Sequence, residues 1–250
     1  MRVDVITIFP EMFEPAMSTS IVGGAREKGL LDFRVHDLRD WTYDRHRTTD
    51  DAPYGGGPGM VMKPEPLFEA VEAVQHQAEP QATVIFFTPT GARLTQAVVR
   101  SLSERERLMM VCGRYEGFDE RVYSLADLEL SIGDFVLTGG ELPAMVLTDA
   151  VARLQKGVLG DDGSSVEESF SEGLLEYPQY TRPASFRGMG VPDILRSGDH
   201  GAIARWRREQ AIVRTAAVRP ELIEAATLTD EERDLAMRVI TADRSHEEGS

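Results

Sequence analysis

The chain has 250 residues, with 27 Lys and Arg against 42 Asp and Glu, which gives a formal net charge of −15 and a pI near 4.8. Hydrophobic residues make up 42% and charged residues 28%, which excludes a disordered acidic chain. No apolar run approaches the roughly 18–20 residues that a membrane span needs, so we expect no membrane association. At about 100–200 residues per domain, the length predicts one large domain or two modest ones.

The first residues and the cysteine content bear on cellular location. The apolar stretch over residues 1–7 contains Asp4 and lacks a small-residue cleavage site, so we expect no secretory signal peptide. The single cysteine, Cys112, permits neither an intramolecular disulfide nor a cysteine-rich zinc site. We therefore expect a reduced, cytoplasmic protein.

Strand-like and helix-like segments alternate along the first 158 residues. The predicted elements are, in chain order, strand 2–9, helix 11–28, strand 31–36, helix 64–77, strand 83–87, helix 94–102, strand 108–112, helix 116–125, strand 128–132 and helix 141–154. Such alternation predicts an α/β domain over residues 1–159 with a largely parallel sheet.

Residues 160–176 differ in composition from the chain on either side. They carry six acidic residues and no basic one, with frequent Gly and Ser, which predicts an interdomain linker that becomes ordered on binding. Residues 177–250 are expected to form a small all-helical domain, with helices over 200–213, 220–226 and 230–240.

Glycine-rich stretches follow the predicted strands at 88–91, 112–121 and 131–143, and another lies at 54–60. None matches a P-loop or a dinucleotide fingerprint. Open α/β sheets bind ligands at the carboxyl ends of their strands, and glycine allows close approach to the backbone. Without the lysine of a P-loop, these loops suit a flat, mostly neutral ligand such as an adenosine. The alternative, that the glycines only form tight turns, stays open.

Residues 205–219 form the densest cationic region, with five arginines and one glutamate. A local charge of +4 in a chain of net −15 is what phosphate contacts require. Charge alone leaves open whether this is a nucleic-acid surface or a solvated helix face.

Arg153 ends the last helix of the first domain, and Glu168 lies in the acidic linker. They could form an ordinary ion pair or an electrophile and a base. Sequence spacing does not distinguish these two alternatives.

Several blocks of this sequence, in this order, resemble the bacterial tRNA (guanine-N1-)-methyltransferases of the SPOUT class. That family methylates the guanosine immediately 3′ of the anticodon. The matching blocks are 8–13, 44–47, 53–60, 111–117, 131–134, 139–145, 157–160, 180–183 and 219–222.

The resemblance implies a fold and a cofactor. It implies an α/β domain of SPOUT type with a parallel sheet and a deep trefoil knot, a rare exception to unknotted topology. It also implies S-adenosylmethionine bound in a bent form by three loops. On this chain the implied contacts are Phe86, Phe87, Thr88, Pro89, Thr90, Gly91, Gly113, Tyr115, Glu116, Ile132, Gly133, Phe135, Leu137, Gly139, Gly140 and Pro143.

The same resemblance implies partners. It implies an obligate homodimer, with each site built from both chains. It implies tRNA binding by the C-terminal helical domain and a dependence on Mg²⁺, although we identify no dedicated metal-binding residues. The arginines implied to contact RNA are Arg182, Arg205, Arg207, Arg208, Arg214 and Arg219.

The chemistry of guanine explains two further site residues. N1 carries a proton, so its attack on a methyl group needs a base at N1 and a cation or donor at O6. The family's base is an aspartate and its O6 partner an arginine, and the matching positions here are Glu168 and Arg153. Glutamate is one methylene longer than aspartate, so Glu167 or Asp162 are alternative bases.

Two other functions stay open at this point. The chain could methylate another RNA position, or it could be a non-catalytic protein that binds S-adenosylmethionine or RNA. The product nucleoside distinguishes the first, and tight cofactor binding without turnover would indicate the second.

Overall fold

A computed structural model of the protein describes the backbone of residues 1–159, 169–170 and 173–247, and the side chains of these residues up to 242. The chain divides into two compact units, Met1–Asp162 and Gly163–Ser250. The predicted 1–159 domain, 160–176 linker and 177–250 domain stay predictions, because most of the linker lies outside the described residues.

The described part of the first unit contains seven strands and five α-helices, with short 3₁₀ turns between some of them. In chain order these are β1 (Arg2–Thr7), α1 (Glu14–Met17), α2 (Ser20–Glu27), β2 (Asp32–Asp37), β3 (Asp50–Asp51), β4 (Val61–Met62), α3 (Pro64–Gln75), β5 (Thr83–Arg93), α4 (Gln96–Ser103), β6 (Arg107–Val111), β7 (Leu128–Ser131) and α5 (Glu141–Ala152).

Five of these strands form a central sheet in the order β2-β1-β6-β5-β7. Every neighbouring pair in it is parallel. The predicted α/β fold with a parallel sheet is therefore confirmed.

Side chains alternate across the sheet, which places a core on each face. Val3 and Val5 of β1 pack in one cluster with residues of α2, α4 and α5. Ile6, one position on, belongs to the other cluster, whose helix is α3. Both faces are covered by helices, which explains why the central strands β1 and β6 are buried almost throughout.

The predicted single helix over 11–28 is wrong. Pro15 has no backbone N–H to donate inside a helix, and it instead lies in the first turn of the short α1. Helix α2 then starts at Ser20. Its Gly23 lies against the preceding chain, where a Cβ would be 2.4 Å from the Ser18 carbonyl oxygen.

Strand β5 is longer than the predicted 83–87, because it resumes pairing with β7 after an irregularity between Phe87 and Ala92. Gly91 permits this pairing, since a Cβ there would lie 2.6 Å from the backbone of Glu129 and Leu130. The glycine therefore serves close strand approach.

The second unit contains α6 (His200–Val218), α7 (Pro220–Ala225) and α8 (Asp230–Glu247) around a small core. Leu174, from the end of the predicted linker, is buried in that core. The expectation of an all-helical domain is wrong, because β8 (Ser185–Phe186) pairs antiparallel with β9 (Met189–Gly190). Arg187 and Gly188 between them both have positive φ, as a two-residue hairpin turn requires.

Asp4 on β1 is a fully buried carboxylate held by three cationic or donor groups. It lies 2.8 Å from the Arg2 guanidinium, 2.9 Å from Arg107 and 2.9 Å from His36. Burial alone would raise the pKa of Asp4, but hydrogen bonds from His36, Arg2 and Arg107 outweigh it and lower the pKa to about 2. This cluster ties β1 to both neighbouring strands.

We expect Asp4→Asn to lower the free energy of unfolding by about 3–5 kcal/mol at neutral pH, because it leaves the buried Arg107 without a counter-charge. The folded pKa lies below the usual 3.8, so the carboxylate stabilises the fold above about pH 4 and this contribution is lost as the pH falls toward 2. The difference from wild type should shrink by about 2 kcal/mol over that range.

Urea denaturation at several pH values measures this. Asp32→Asn is the control, because its ion pair with Arg34 is half-exposed and should contribute less than about 1 kcal/mol. A pH-independent difference for Asp4→Asn would contradict the account.

Candidate functional site

A cavity of about 270 Å³ lies beside the irregular part of β5, where β6 and β7 end. It is lined by the irregular part of β5, the loop 113–118 after β6, and the loop 132–140 that leads into α5. Its volume is close to the lower end of the roughly 300–1,000 Å³ typical of ligand sites. The carboxyl ends of parallel strands are where such sheets bind ligands.

Most of the residues implied to hold the cofactor come together around this cavity. Those lining it are Phe87, Thr88, Pro89, Gly113, Tyr115, Glu116, Ile132, Gly133, Phe135, Leu137, Gly139, Gly140 and Pro143. The structure thus brings three loops that are distant in sequence to one place, while the role of each residue stays a prediction.

Phe86, Thr90 and Gly91 do not line the cavity. Phe86 is fully buried, and its ring lies 4.9 Å from that of Phe118, so it supports the wall from behind. The Thr90 hydroxyl lies 2.9 Å from that of Thr88. Gly91 faces the backbone of β7.

Sequence reasoning missed other residues that line the cavity. Arg114, Gly117, Phe118, Tyr123, Leu130, Ser131, Val136 and Thr138 are among them. Arg114, Val136 and Thr138 lie between predicted residues, and Gly117, Phe118 and Ser131 lie in the same glycine-rich stretches, so the pattern could have been extended to these six. Tyr123 comes from a 3₁₀ turn, Glu120–Leu125, and no local pattern indicates its position.

Glycines bring the two longer loops into backbone contact. The Gly140 N–H donates to the Gly113 carbonyl over 2.9 Å, and residues 114 and 139 form an isolated antiparallel bridge. A Cβ on Gly140 would lie 2.8 Å from the Cys112 Cα. A larger residue at position 140 would therefore push the loops apart.

Two charged side chains line the cavity, Arg114 and the exposed Glu116. The Arg114 guanidinium is paired with the Glu141 carboxylate at 3.0 Å. Burial and the nearby Asp50 raise the pKa of Tyr115, which therefore remains a neutral phenol at physiological pH. The site thus suits a ligand whose buried part is uncharged.

The structure describes one of the two predicted catalytic residues, Arg153. Arg153 directly follows α5, and its N–H donates to the Asp149 carbonyl. Glu168, and the alternatives Glu167 and Asp162, lie outside the described residues.

The second unit has its own cavity, of about 800 Å³, lined by residues between Leu174 and Ala211. Arg182, Arg207 and Arg208 line it, together with Arg196 and His200. The lining of this cavity thus contains four arginines and one acidic residue, Glu176.

These arginines differ in what they contact. Arg208 is 2.8 Å from Glu232 and so joins α6 to α8. The Arg207 guanidinium lies 4.8 Å from the centre of the Tyr177 ring. The Arg207 Nε is buried and has no hydrogen-bond partner among the residues that the structure describes.

The other three predicted RNA contacts lie outside this cavity. Arg205 and Arg214 are exposed on α6, and Arg214 donates to the Glu176 carbonyl over 3.3 Å. Arg219 pairs with Glu221 at the start of α7.

Metal sites and membrane-spanning helices were sought only in the part of the chain that the structure describes. There, no three His, Cys, Asp or Glu side chains gather closely enough to hold a metal ion. None of the helices described is both long and apolar enough to span a bilayer.

Comparison with known proteins identifies the family. The family model for tRNA (Guanine-1)-methyltransferase TrmD matches residues 1–225. The chain belongs to this family. The resemblance seen in the sequence blocks is therefore confirmed.

Curated relatives agree with the family model over nearly the whole chain, and all three described here are named tRNA (guanine-N(1)-)-methyltransferase. A protein of Dictyoglomus turgidum is 54% identical over 235 residues, which cover 94% of this chain and 95% of that protein. One of Heliobacterium modesticaldum is 56% identical over 228 residues, covering 89% and 84%. One of Geobacter sp. strain M21 is 52% identical over 245 residues, covering 98% of each.

Gly140→Ala tests whether the loop contact shapes a cofactor cavity. The added Cβ meets backbone at 2.8 Å, which should cost about 1–3 kcal/mol of overpacking. We expect a roughly tenfold to hundredfold loss of S-adenosylmethionine affinity by calorimetry.

Gly24→Ala is the matched control, because a Cβ on this helical glycine meets nothing within 4 Å. It should leave affinity unchanged and stabilise the fold by up to about 1 kcal/mol. Wild-type affinity in Gly140→Ala would contradict the role assigned to the loop contact.

Proposed function

We propose that this chain transfers the methyl group of S-adenosylmethionine to N1 of guanosine 37 in tRNA, immediately 3′ of the anticodon. Family membership over residues 1–225 supports the reaction and the substrate. The structural observation that carries the proposal is the glycine-lined cavity beside the irregular part of β5, where β6 and β7 end. The reaction takes place in the cytoplasm, where its substrate is used.

The cavity fits the cofactor chemically. Phe87, Ile132 and Leu137 provide apolar surface for an adenine ring, and glycines leave backbone polar groups accessible between them. The guanidinium in its wall, Arg114, is already paired with a carboxylate, so it does not favour a triphosphate. When bound, S-adenosylmethionine supplies an electrophilic methyl group on a sulfonium sulfur.

The chain itself must supply a base and an electrostatic partner for the guanine. Removal of the N1 proton leaves negative charge that spreads to O6. Arg153, placed at the end of α5, is the proposed donor to O6. Glu168 is the proposed base at N1, and its segment closes over the target base as a lid.

We expect Glu168→Gln to lower the single-turnover rate of methyl transfer by about 100-fold or more, because an amide cannot accept the N1 proton. Rapid-quench assays at saturating enzyme measure the chemical step. Glu167→Gln is the matched control and should retain the wild-type rate. A full rate in Glu168→Gln together with a lost rate in Glu167→Gln would show that the neighbouring residue is the base.

We assign the exposed apolar residues near the cavity to a homodimer interface. Leu142 and Val146, spaced for one face of α5, are 51% and 49% exposed, and Phe135 and Val136 are 55% and 84% exposed. A second copy covering this strip would complete each site with residues of both chains. Sedimentation equilibrium should give twice the 27.7 kDa chain mass, and a monomer would contradict this assignment.

The proposal also includes a trefoil knot in the first unit. The supporting observation is that the loop 132–140 returns to lie against the backbone of Cys112 and Gly113. A crystal structure that traces this crossing tests the topology.

The second unit is the proposed tRNA surface, through Arg182, Arg205, Arg207, Arg208, Arg214 and Arg219. In a chain of net −15, the arginine-rich cavity wall and α6 offer local positive charge to phosphates. Affinity should therefore fall steeply with salt.

We expect Arg205→Ala, on the exposed face of α6, to weaken tRNA binding and to reduce the slope of log Kd against log salt by about 1, as loss of one phosphate contact does. Filter binding from low to moderate salt measures this. Arg100→Ala, an exposed arginine of α4, should leave the slope unchanged. An unchanged slope in Arg205→Ala would remove this residue from the RNA surface.

Dependence on Mg²⁺, which the resemblance implies, belongs to the same proposal. Turnover measured with EDTA and then with restored MgCl₂ tests it, and full turnover in EDTA would contradict it.

A further inference from the structure

Glu141 is a buried carboxylate that neither the cavity lining nor the proposed chemistry uses. It is 1% exposed and is the first residue of α5. Its Oε1 accepts hydrogen bonds from the Thr7 hydroxyl over 2.8 Å and from Arg114 Nε over 3.1 Å. Its Oε2 lies 3.0 Å from the same Arg114 Nε but accepts no hydrogen bond from the residues that the structure describes. The carboxylate thus connects the end of β1 to the loop after β6.

Arg114 carries this connection onward to the cavity. Its Nη1 donates to the Thr138 carbonyl over 3.3 Å, and its guanidinium lies 4.5 Å from the centre of the Phe9 ring. Thr138 and Arg114 both line the cavity, whereas Glu141 and Thr7 do not. Glu141 therefore contacts the cavity wall only through other residues.

The ion pair occupies space that a side chain would otherwise fill. A Cβ on Gly139 would lie 2.3 Å from Arg114 Nε and 2.5 Å from Glu141 Oε2. The ion pair can therefore form only because Gly139 has no side chain. It sets how closely the two loops approach.

Stability alone does not explain a charged pair here. Burying a carboxylate and a guanidinium costs desolvation, and apolar residues of similar volume often stabilise a fold as well or better. The positive end of α5 favours Glu141 in the first turn, but an exposed carboxylate would gain the same effect. The ion pair instead fixes the orientation of the Arg114 guanidinium, which donates hydrogen bonds both to Glu141 and to the Thr138 carbonyl.

We propose that Glu141 is a positioning residue for cofactor binding, which acts through Arg114 and is itself oriented by the Thr7 hydroxyl. It holds the loops 113–118 and 132–140 at the separation that the cofactor requires. This inference rests on the proposed function, because it assumes that the cavity binds S-adenosylmethionine.

Glu141→Gln keeps the side-chain shape and removes the charge. We expect about a tenfold or greater loss of S-adenosylmethionine affinity, with KM for the cofactor raised and KM for tRNA unchanged, because hydrogen bonds to charged groups are worth roughly 1.5–3 kcal/mol. Asp32→Asn, on the edge strand β2, is the matched carboxylate-to-amide control and should bind as wild type does.

A double-variant cycle separates positioning from general destabilisation. If Glu141 acts through Arg114, then Arg114→Met and Arg114→Met/Glu141→Gln should bind S-adenosylmethionine equally weakly. Additive losses in the double variant would overturn the inference, as would affinity within twofold of wild type in Glu141→Gln.

Two variants of Thr7 test the same inference if Glu141→Gln does not fold. Thr7→Val removes the hydroxyl that orients the carboxylate and should weaken cofactor binding several-fold, while Thr7→Ser should restore it. Equal affinity in Thr7→Val and Thr7→Ser would overturn the inference. Failure of the wild-type protein to bind S-adenosylmethionine would instead overturn the proposed function.

Discussion

The cavity proposed to bind the cofactor depends on one backbone contact between two loops that are distant in sequence. Gly140 lies so close to the end of β6 that a Cβ would be 2.8 Å from the Cys112 Cα. This contact brings the start of α5 against the loop after β6, and the cavity lies beside it. The Arg114–Glu141 ion pair fills the space left free at Gly139. Small residues and a buried charge thus shape the same wall.

Charge has different roles in different parts of the molecule. In the first unit, Asp4 and Glu141 are buried carboxylates, of which the first is paired with Arg107 on the neighbouring strand and the second with Arg114 in the loop after β6. Arg208 joins α6 to α8 in the second unit. Exposed arginines such as Arg205 are the proposed contacts with phosphate. The net charge of −15 therefore does not conflict with an RNA substrate, because binding depends on local charge.

Local patterns in the sequence predict the α/β fold and most of the cavity. Strand residues alternate or run apolar, and glycines cluster directly after them, so the loops at the carboxyl ends could be identified without coordinates. The strand order could not, because tertiary packing decides which strands become neighbours. Glu141 was missed for a related reason, since its hydrogen-bond partner Thr7 lies 134 positions away. The sequence also does not reveal that β5 continues beyond the irregularity after Phe87, where Gly91 lies against the backbone of β7.

We infer that the glycine-lined cavity of the first unit and the arginines of the second unit serve methylation of tRNA at guanine N1. Transfer of labelled methyl from S-adenosylmethionine to unmodified tRNA, with the product nucleoside identified by mass spectrometry, tests it most directly. We expect N1-methylguanosine immediately 3′ of the anticodon, and no product from tRNA in which that guanosine is replaced. Methylation of another nucleoside, or cofactor binding without any transfer, would contradict it.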